Sequence, residues 1–304
     1  MSRVIVFGGS GFLGGHVADA LTENGHEVTV YDLKPFTYLK PSQKMLVGNI
    51  MDETAVEAAV ADCDIVYNFA GIADIDDAHN RPLDTVRTNV LGNSIILEAC
   101  RKNGIKRFVF ASSVYVYSQS GSFYRNSKEA CELVTESYRE VYGLPYTVLR
   151  YGSLYGPRAD EHNWVHEVLK QALSEKKITR CGDGEEIREY IHVLDAARCS
   201  VDILAPEYEN QHVVITGHQP IKIKDLLAMI KEILGHKIEI EYLPAKADDL
   251  HYNITPYSFN PRIGKKLVSH YYLDMGQGIL NCLAEIYQEH AQPEEKEGVL
   301  IRDE

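Results

Sequence analysis

The pentapeptide YRNSK sets Tyr124 and Lys128 four residues apart, so on a helix they stand one above the other on one face. A free phenol has a pKa of about 10 and is a poor base at neutral pH. A neighbouring ammonium favours the phenolate. Lowering the pKa to about 7 takes roughly 3 pKa units, on the order of 4 kcal/mol. Two cations at close range in a partly dry site can supply that much. Ser113, upstream in FASSVYVY, could hydrogen-bond the same substrate oxygen and hold it against the tyrosine. Read alone, the pair could equally be an exposed turn of helix.

The stretch VIVFGGSGFLGGHVADAL suggests where the second cation comes from. Gly8, Gly11 and Gly14 follow an apolar strand run and open a helical stretch. Glycine permits the tight turn and lets the backbone approach a pyrophosphate, which then sits where free N–H groups and the helix dipole favour anions. The second strand ends in VTVYD, with Asp32 eighteen residues beyond Gly14. An acid there can accept hydrogen bonds from both hydroxyls of an adenosine ribose and would repel a 2′-phosphate, which favours NAD over NADP. Read singly, the glycines could be only a tight turn and Asp32 only a loop cap. Together they predict a dinucleotide site, whose positive nicotinamide is the second cation beside Tyr124.

Such residues need a scaffold that brings strand ends together. Over the first 150 residues short β-branched runs alternate with helical periodicity. Strands are expected at 3–7, 27–31, 44–47, 64–69, 107–112 and 146–151, and helices at 12–24, 53–61, 83–103 and 126–142. Near-continuous apolar strands alternating with helices predict an α/β fold, a Rossmann-type doubly wound parallel sheet covered on both faces. Beyond residue 151 the rhythm loosens, with helices expected at 162–175, 193–205, 222–234 and 276–290. Strands are expected there near 178–181, 187–191, 212–216 and 237–243. We expect an NAD-binding domain over 1–151, to which some later segments return. A smaller α/β substrate-binding part over 152–290 and a flexible acidic tail over 291–304 complete the reading.

Composition agrees with an enzyme of small molecules. With 31 basic against 44 acidic residues the chain carries about −13, which argues against nucleic acid or a membrane surface as partner. No apolar run reaches membrane-spanning length. The six cysteines, without a CxxC pair, read as free thiols in a cytoplasmic protein. His162 and His166 are four apart, but no Glu stands in an HExxH place, and Asp74, Asp76 and Asp77 lack a calcium-loop pattern. They are read as groove histidines and a solvated loop, with no metal expected. His192 and Asp195 are read as residues of a helix entry.

The chain resembles the extended short-chain dehydrogenase/reductases, the family of NAD-dependent nucleotide-sugar epimerases and dehydratases. The likeness rests on GGSGFLG, Asp32, GNIMD, FAG, NVLG, FASSVYVY, YRNSK, RYGSLYGPR and GDGEEIREYIHVLDAA, in that order. It implies that Ser113, Tyr124 and Lys128 are catalytic. It also implies that Gly8, Gly11, Phe12 and Leu13 line the pyrophosphate, that Asn49 and Ile50 border the adenine, and that Phe69, Ala70 and Gly71 face the cofactor. Asn89 would support the active-site backbone and Tyr151 would lie near the nicotinamide. Arg188 would hold the substrate diphosphate, with Ser153 at a substrate-phosphate position usually held by asparagine. Arg158 is divided between substrate and a loop acid. Val114 and Tyr115 stand where the 4,6-dehydratases of this family keep an acid pair, which disfavours dehydration. Only ten residues separate Ser113 from Tyr124, so the substrate pocket is expected to be open or unusual.

These implications add up to a nucleotide-sugar epimerase, 4-epimerisation favoured, that oxidises its sugar transiently and acts as a homodimer through 83–103 and 126–142. The alternatives are an NAD-linked dehydrogenase or keto-sugar reductase with net redox change, and a catalytically idle NAD-binding regulator.

Overall fold

The computed structural model describes residues 1–244, 251–256, 265–267 and 273–291. Each strand run of the first half forms: β1 (Arg3–Phe7), β2 (Glu27–Asp32), β3 (Lys44–Val47), β4 (Ile65–Asn68), β5 (Arg107–Ser113) and β6 (Tyr146–Tyr151). The helices between them are α1 (Phe12–Glu23), α2 (Glu53–Val60), α3 (Ile75–Asn80), α4 (Pro82–Thr85), α5 (Gly92–Lys102) and α6 (Ser122–Tyr142). The second half adds β7 (Ser153–Tyr155), α7 (Trp164–Glu175), β8 (Lys177–Cys181), β9 (Ile187–His192), α8 (Val193–Asp202) and β10 (Gln211–Ile215). It continues through β11 (Pro220–Lys222), α9 (Ile223–Ile233), β12 (Glu239–Leu243), β13 (Lys265–Lys266) and α10 (Met275–Ala291).

The main sheet is wholly parallel and ordered β13-β10-β6-β5-β4-β1-β2-β3. Its order reverses between β1 and β4, the switch point outside which such sheets bind ligands. Side chains alternate across it. Val4 and Val6 join Val17, Leu21, Ala196 and Ile203 in the layer under α1 and α8. Ile5 and Phe7 join Val56, Val60, Ile96 and Leu97 under α2 and α5. β4, β5 and β6 are buried along their lengths, as strands covered on both faces must be.

The later part is built from β11-β9-β7, from the pair β12-β8, and from α7, α9 and α10 around Leu169, Ile178, Leu226 and Ile279. The strand expected at 212–216 is β10, which pairs with β6 and extends the main sheet. α8 likewise packs on α1.

Two helices depart from expectation. The segment read as one helix over 83–103 is interrupted by a π turn at Val86–Leu91. α6 begins at Ser122, one turn earlier than 126, because Gly121 (φ 92°) and Ser122 (φ 42°) take left-handed backbone at its entry. The acidic loop at 73–80 is also not all loop. Asp74 caps α3 by accepting from the Asp77 N–H at 2.8 Å.

All six cysteines are free thiols. Among the described residues no helix is long and apolar enough to cross a membrane. From residue 292 the expected acidic tail lies outside the described residues.

Candidate active site

The glycine turn between β1 and α1 is built around Gly8 at φ 74°, where a Cβ would lie 2.5 Å from the Ala70 nitrogen. This brings the Phe69–Gly71 loop beside the turn. Gly11 is the N-cap of α1, with no side-chain cap and no acid in the first turn to neutralise the N–H groups near Phe12 and Leu13. Such a terminus suits a pyrophosphate. Asp32, at the end of β2, accepts from the Ser10 N–H at 3.0 Å and the Lys34 N–H at 3.3 Å, which fixes its carboxylate beside the turn. The Asn49 carbonyl accepts from the Tyr31 hydroxyl at 3.2 Å, and Ile50, 7% exposed, belongs to the core behind it. These residues fit a dinucleotide. Gly8→Ala is therefore expected to weaken NAD binding at least tenfold in calorimetric titration, since left-handed backbone costs a non-glycine residue about 1–3 kcal/mol before any clash with Ala70.

The side chains expected to react gather at the end of β5. Ser113, 6% exposed, accepts from the Tyr115 N–H at 3.3 Å and so starts the 3₁₀ turn Val114–Tyr117. Its hydroxyl is close enough to Tyr124, which stands in the first turn of α6, to favour the phenolate. Lys128, one turn on and 5% exposed, donates to the Ala111 carbonyl at 2.8 Å. Its ammonium lies 5.0 Å from the Phe110 ring centre and 5.8 Å from that of Tyr124. Burial pushes the Lys128 pKa down, against the charges of Cys131 and Glu132. Burial pushes the Tyr124 phenol up to about 12, with the neighbouring Ser113 hydroxyl pulling it down and Tyr252 adding to the rise. The lowering expected from Lys128 is thus absent in this geometry, because the ammonium is turned to the Ala111 carbonyl and desolvation outweighs it.

Asn89 ties the loop after β4 to α6. Its amide both accepts from the Ile72 N–H at 2.7 Å and donates to the Ile72 carbonyl at 3.0 Å. It also donates to Ser127 Oγ at 2.9 Å, and Ser127 donates to the Tyr124 carbonyl at 2.8 Å. The π turn leaves the Asn89 carbonyl to accept from the Cys131 thiol at 3.2 Å. Asn68 and Asn93, which the sequence reading missed, form a second such link: Asn68 accepts from the Ala70 N–H at 3.0 Å and donates to Asn93 at 2.8 Å.

Ser153 and Arg188 meet around Tyr252, also unforeseen. The Tyr252 hydroxyl is 3.4 Å from Ser153 Oγ, and the Arg188 guanidinium lies 4.3 Å over its ring. Tyr252 arrives on a segment that runs beside β9, with Ile187 N–H donating to the Asn253 carbonyl at 2.8 Å and Thr255 N–H to the Ile187 carbonyl at 3.2 Å. No local motif marks it.

Arg158 and Tyr151 each make contacts within the fold. Arg158 is not aimed at Ser153 and Arg188: it donates to Asp19 at 2.8 Å and lies 4.4 Å over the Tyr38 ring, while its N–H bonds Glu285. It clasps α1 to α10. Tyr151 lies 6.3 Å from Phe69, but it is 5% exposed and its hydroxyl sits 2.6 Å from Ser200 Oγ, so its side chain is a core residue.

The two loops weighed for metal meet at Asp74, Asp77 and His162, whose ligand atoms lie within 4.8 Å of one another. Asp74 is already engaged as a helix cap. His166 is outside that group, and its N–H bonds Asn163. His192 and Asp195 do open α8, where His192 Nδ1 accepts from the Leu194 N–H at 3.3 Å.

A parallel sheet with a glycine turn at its first strand and Ser, Tyr and Lys converging at its fifth defines an enzyme of the extended short-chain dehydrogenase/reductase type. Residues 4–216 match the NAD dependent epimerase/dehydratase family, and the chain belongs to it. NAD is its cofactor. A putative UDP-glucose 4-epimerase of Methanocaldococcus jannaschii is 28% identical over 79% of this chain and 85% of its own length. A UDP-N-acetyl-alpha-D-glucosaminuronate decarboxylase of Bacillus cytotoxicus is 26% identical over 80% of this chain and 83% of its own. Among solved structures, the UDP-glucose 4-epimerase of Thermotoga maritima with UDP-glucose superposes with TM-score 0.82 at 25% identity, covering 95% of this chain and 99% of that one.

Proposed function

We propose that this chain is a nucleotide-sugar 4-epimerase. The observation that supports it best is Tyr124 beside Ser113 with the Lys128 ammonium 5.8 Å from its ring centre, at the strand ends that also carry the glycine turn. NAD, which the glycine turn and Asp32 would hold, would supply the hydride acceptance and return at the sugar carbon. Tyr124 receives the proton of the sugar hydroxyl and later returns it. Ser113 holds that oxygen against Tyr124, and the Lys128 ammonium, once turned from the Ala111 carbonyl toward Tyr124, favours the phenolate that accepts the proton. Arg188 and Ser153 receive the substrate diphosphate, with the Arg188 guanidinium exchanging the Tyr252 face for an anion. Residues 1–151 then hold the cofactor and 152–290 mainly the substrate.

The test is turnover of UDP-glucose, UDP-glucuronic acid and UDP-N-acetylglucosamine, followed by NMR and by NADH absorbance. An epimer without net NADH is expected. Stoichiometric NADH would instead establish the dehydrogenase reading.

We also propose a homodimer. Leu83, Val86 and Leu91 on the interrupted helix and Leu133, Val141 and Tyr142 on α6 are exposed large apolar side chains. Covering such a face is what a partner copy would do. Light scattering behind gel filtration is expected to return twice the 34.2 kDa chain mass, and Leu133→Glu with Val141→Glu to return the monomer.

A further inference from the structure

Glu132 stands on α6 four residues beyond Lys128 and eight beyond Tyr124, so the three share one face of the helix. Its carboxylate is buried and takes hydrogen bonds from two strands. Ser112 Oγ on β5 donates to it at 2.5 Å, and Arg150 on β6 donates to both its oxygens at 3.0 and 2.6 Å. Ser112 and Arg150 are register partners across the two strands. Arg150 reaches further: it donates to the Tyr117 hydroxyl at 2.5 Å, with its guanidinium 4.7 Å over the Tyr117 ring. Tyr117 ends the turn that Ser113 opens. The network therefore holds the chain on both sides of Ser113, at Ser112 before it and at Tyr117 after it. One turn back along α6, Lys128 makes a single bond to the Ala111 carbonyl of the same strand.

Stability alone gives no reason to bury these charges, since apolar residues of similar volume do as well or better. Direction gives one. Charge-assisted hydrogen bonds have narrow lengths and angles, so they fix where the groups at their ends stand. We propose that Glu132 is a positioning residue, which through Ser112, Arg150 and Tyr117 sets where Ser113 stands relative to Tyr124 and Lys128. The proposal rests on the reading that those three side chains carry the reaction. The Lys128 bond by itself leaves α6 free to pivot on the end of β5, and the second tie at Glu132 removes that freedom. Precision of this kind matters to rate, because a misplacement of about 1 Å costs a reaction roughly 10²-fold.

The test uses two variants of the full chain. Glu132→Leu with Arg150→Met replaces the ion pair by apolar groups, and Ser112→Ala keeps the ion pair and cuts only its tie to β5. With whichever of the three nucleotide sugars the wild type turns over, the double variant is expected to lower kcat roughly 10²-fold. Ser112→Ala is expected to lower it about tenfold, and KM should stay within about threefold in both, since positioning acts on the reacting groups. In spectra of protein carrying 13C at tyrosine Cζ, the Tyr124 resonance, assigned with Tyr124→Phe, is expected to move in each variant. A merely structural role leaves kcat of the folded protein and the Tyr124 resonance where they are. Wild-type kcat in the folded variants, or an unmoved Tyr124 resonance in both, would overturn the proposal. Should the double variant not fold, Ser112→Ala decides by the same two readouts. The underlying reading fails separately, if the wild type yields neither epimer nor NADH from any of the three sugars while the Tyr124 resonance still moves in Ser112→Ala.

Discussion

Tyr124→Phe is expected to lower epimerisation by about 10²- to 10⁴-fold, the contribution of a positioned general acid–base group. Phenylalanine keeps the ring that Tyr115 meets edge-on and removes only the phenol oxygen. KM for the nucleotide sugar should therefore move far less than kcat, because the lost interaction is with the proton in flight. The pH dependence carries the same information. With the phenol pushed up to about 12 by burial, Tyr124 is protonated at neutral pH in this geometry and cannot accept a proton. Cations must bring its pKa down for turnover, and the protein's own is Lys128. The rate should rise with pH through the pKa of this base. In Lys128→Met that limb should move to higher pH, since one cation favouring the phenolate is gone. A profile that keeps its position in Lys128→Met would remove the lysine from this role.

Glu132→Ala is expected to destabilise the protein by about 3–5 kcal/mol, the cost of leaving a buried charge without its partner. Glu132 and Arg150 are each 2% exposed, and Arg150 donates to both Glu132 oxygens at 3.0 and 2.6 Å. Ser112 donates to Glu132 at 2.5 Å, Arg150 donates to the Tyr117 hydroxyl at 2.5 Å, and His212 Nε2 lies 3.7 Å from Glu132 and 3.2 Å from Glu136. Removing the carboxylate strands the guanidinium, which cannot shed its proton. The double substitution Glu132→Leu with Arg150→Met should recover most of the loss, since apolar groups of similar volume replace a buried pair at little cost. Urea unfolding of the two variants checks both statements. The network lies next to the chemistry as well, with Ser112 preceding Ser113 and Glu132 one turn beyond Lys128. Activity of the refolded double variant would report how far these ions hold the reacting groups in place.

What could be read from the residues alone were the features whose physical cause is local. A strand buried on both faces writes itself as a continuous apolar run, so β1, β4, β5 and β6 were legible. A phosphate-binding turn needs glycine at fixed offsets after a strand, so Gly8 and Gly11 were legible too, and Asp32 followed from the length of one strand–helix–strand unit. Tyr124 and Lys128 needed only the helical repeat. The three-residue strands β7 and β11 and the two-residue β13 are too short to show a period, and they form because a neighbouring strand offers its backbone. The π turn at Val86–Leu91 has no sequence pattern of its own and is held by what Asn89 bonds: Ile72, Ser127 and Cys131. Likewise an arginine such as Arg158 serves whichever carboxylate the fold brings near, here Asp19. Above all, only the tertiary structure decided what stands over Ser113 and Tyr124. The short link between them leaves room, and residues far along the chain, His251 and Tyr252, fill it against Tyr115. Contacts between residues so distant in sequence leave no periodic trace, since each partner's type is satisfied by many alternatives and only the packed fold selects one.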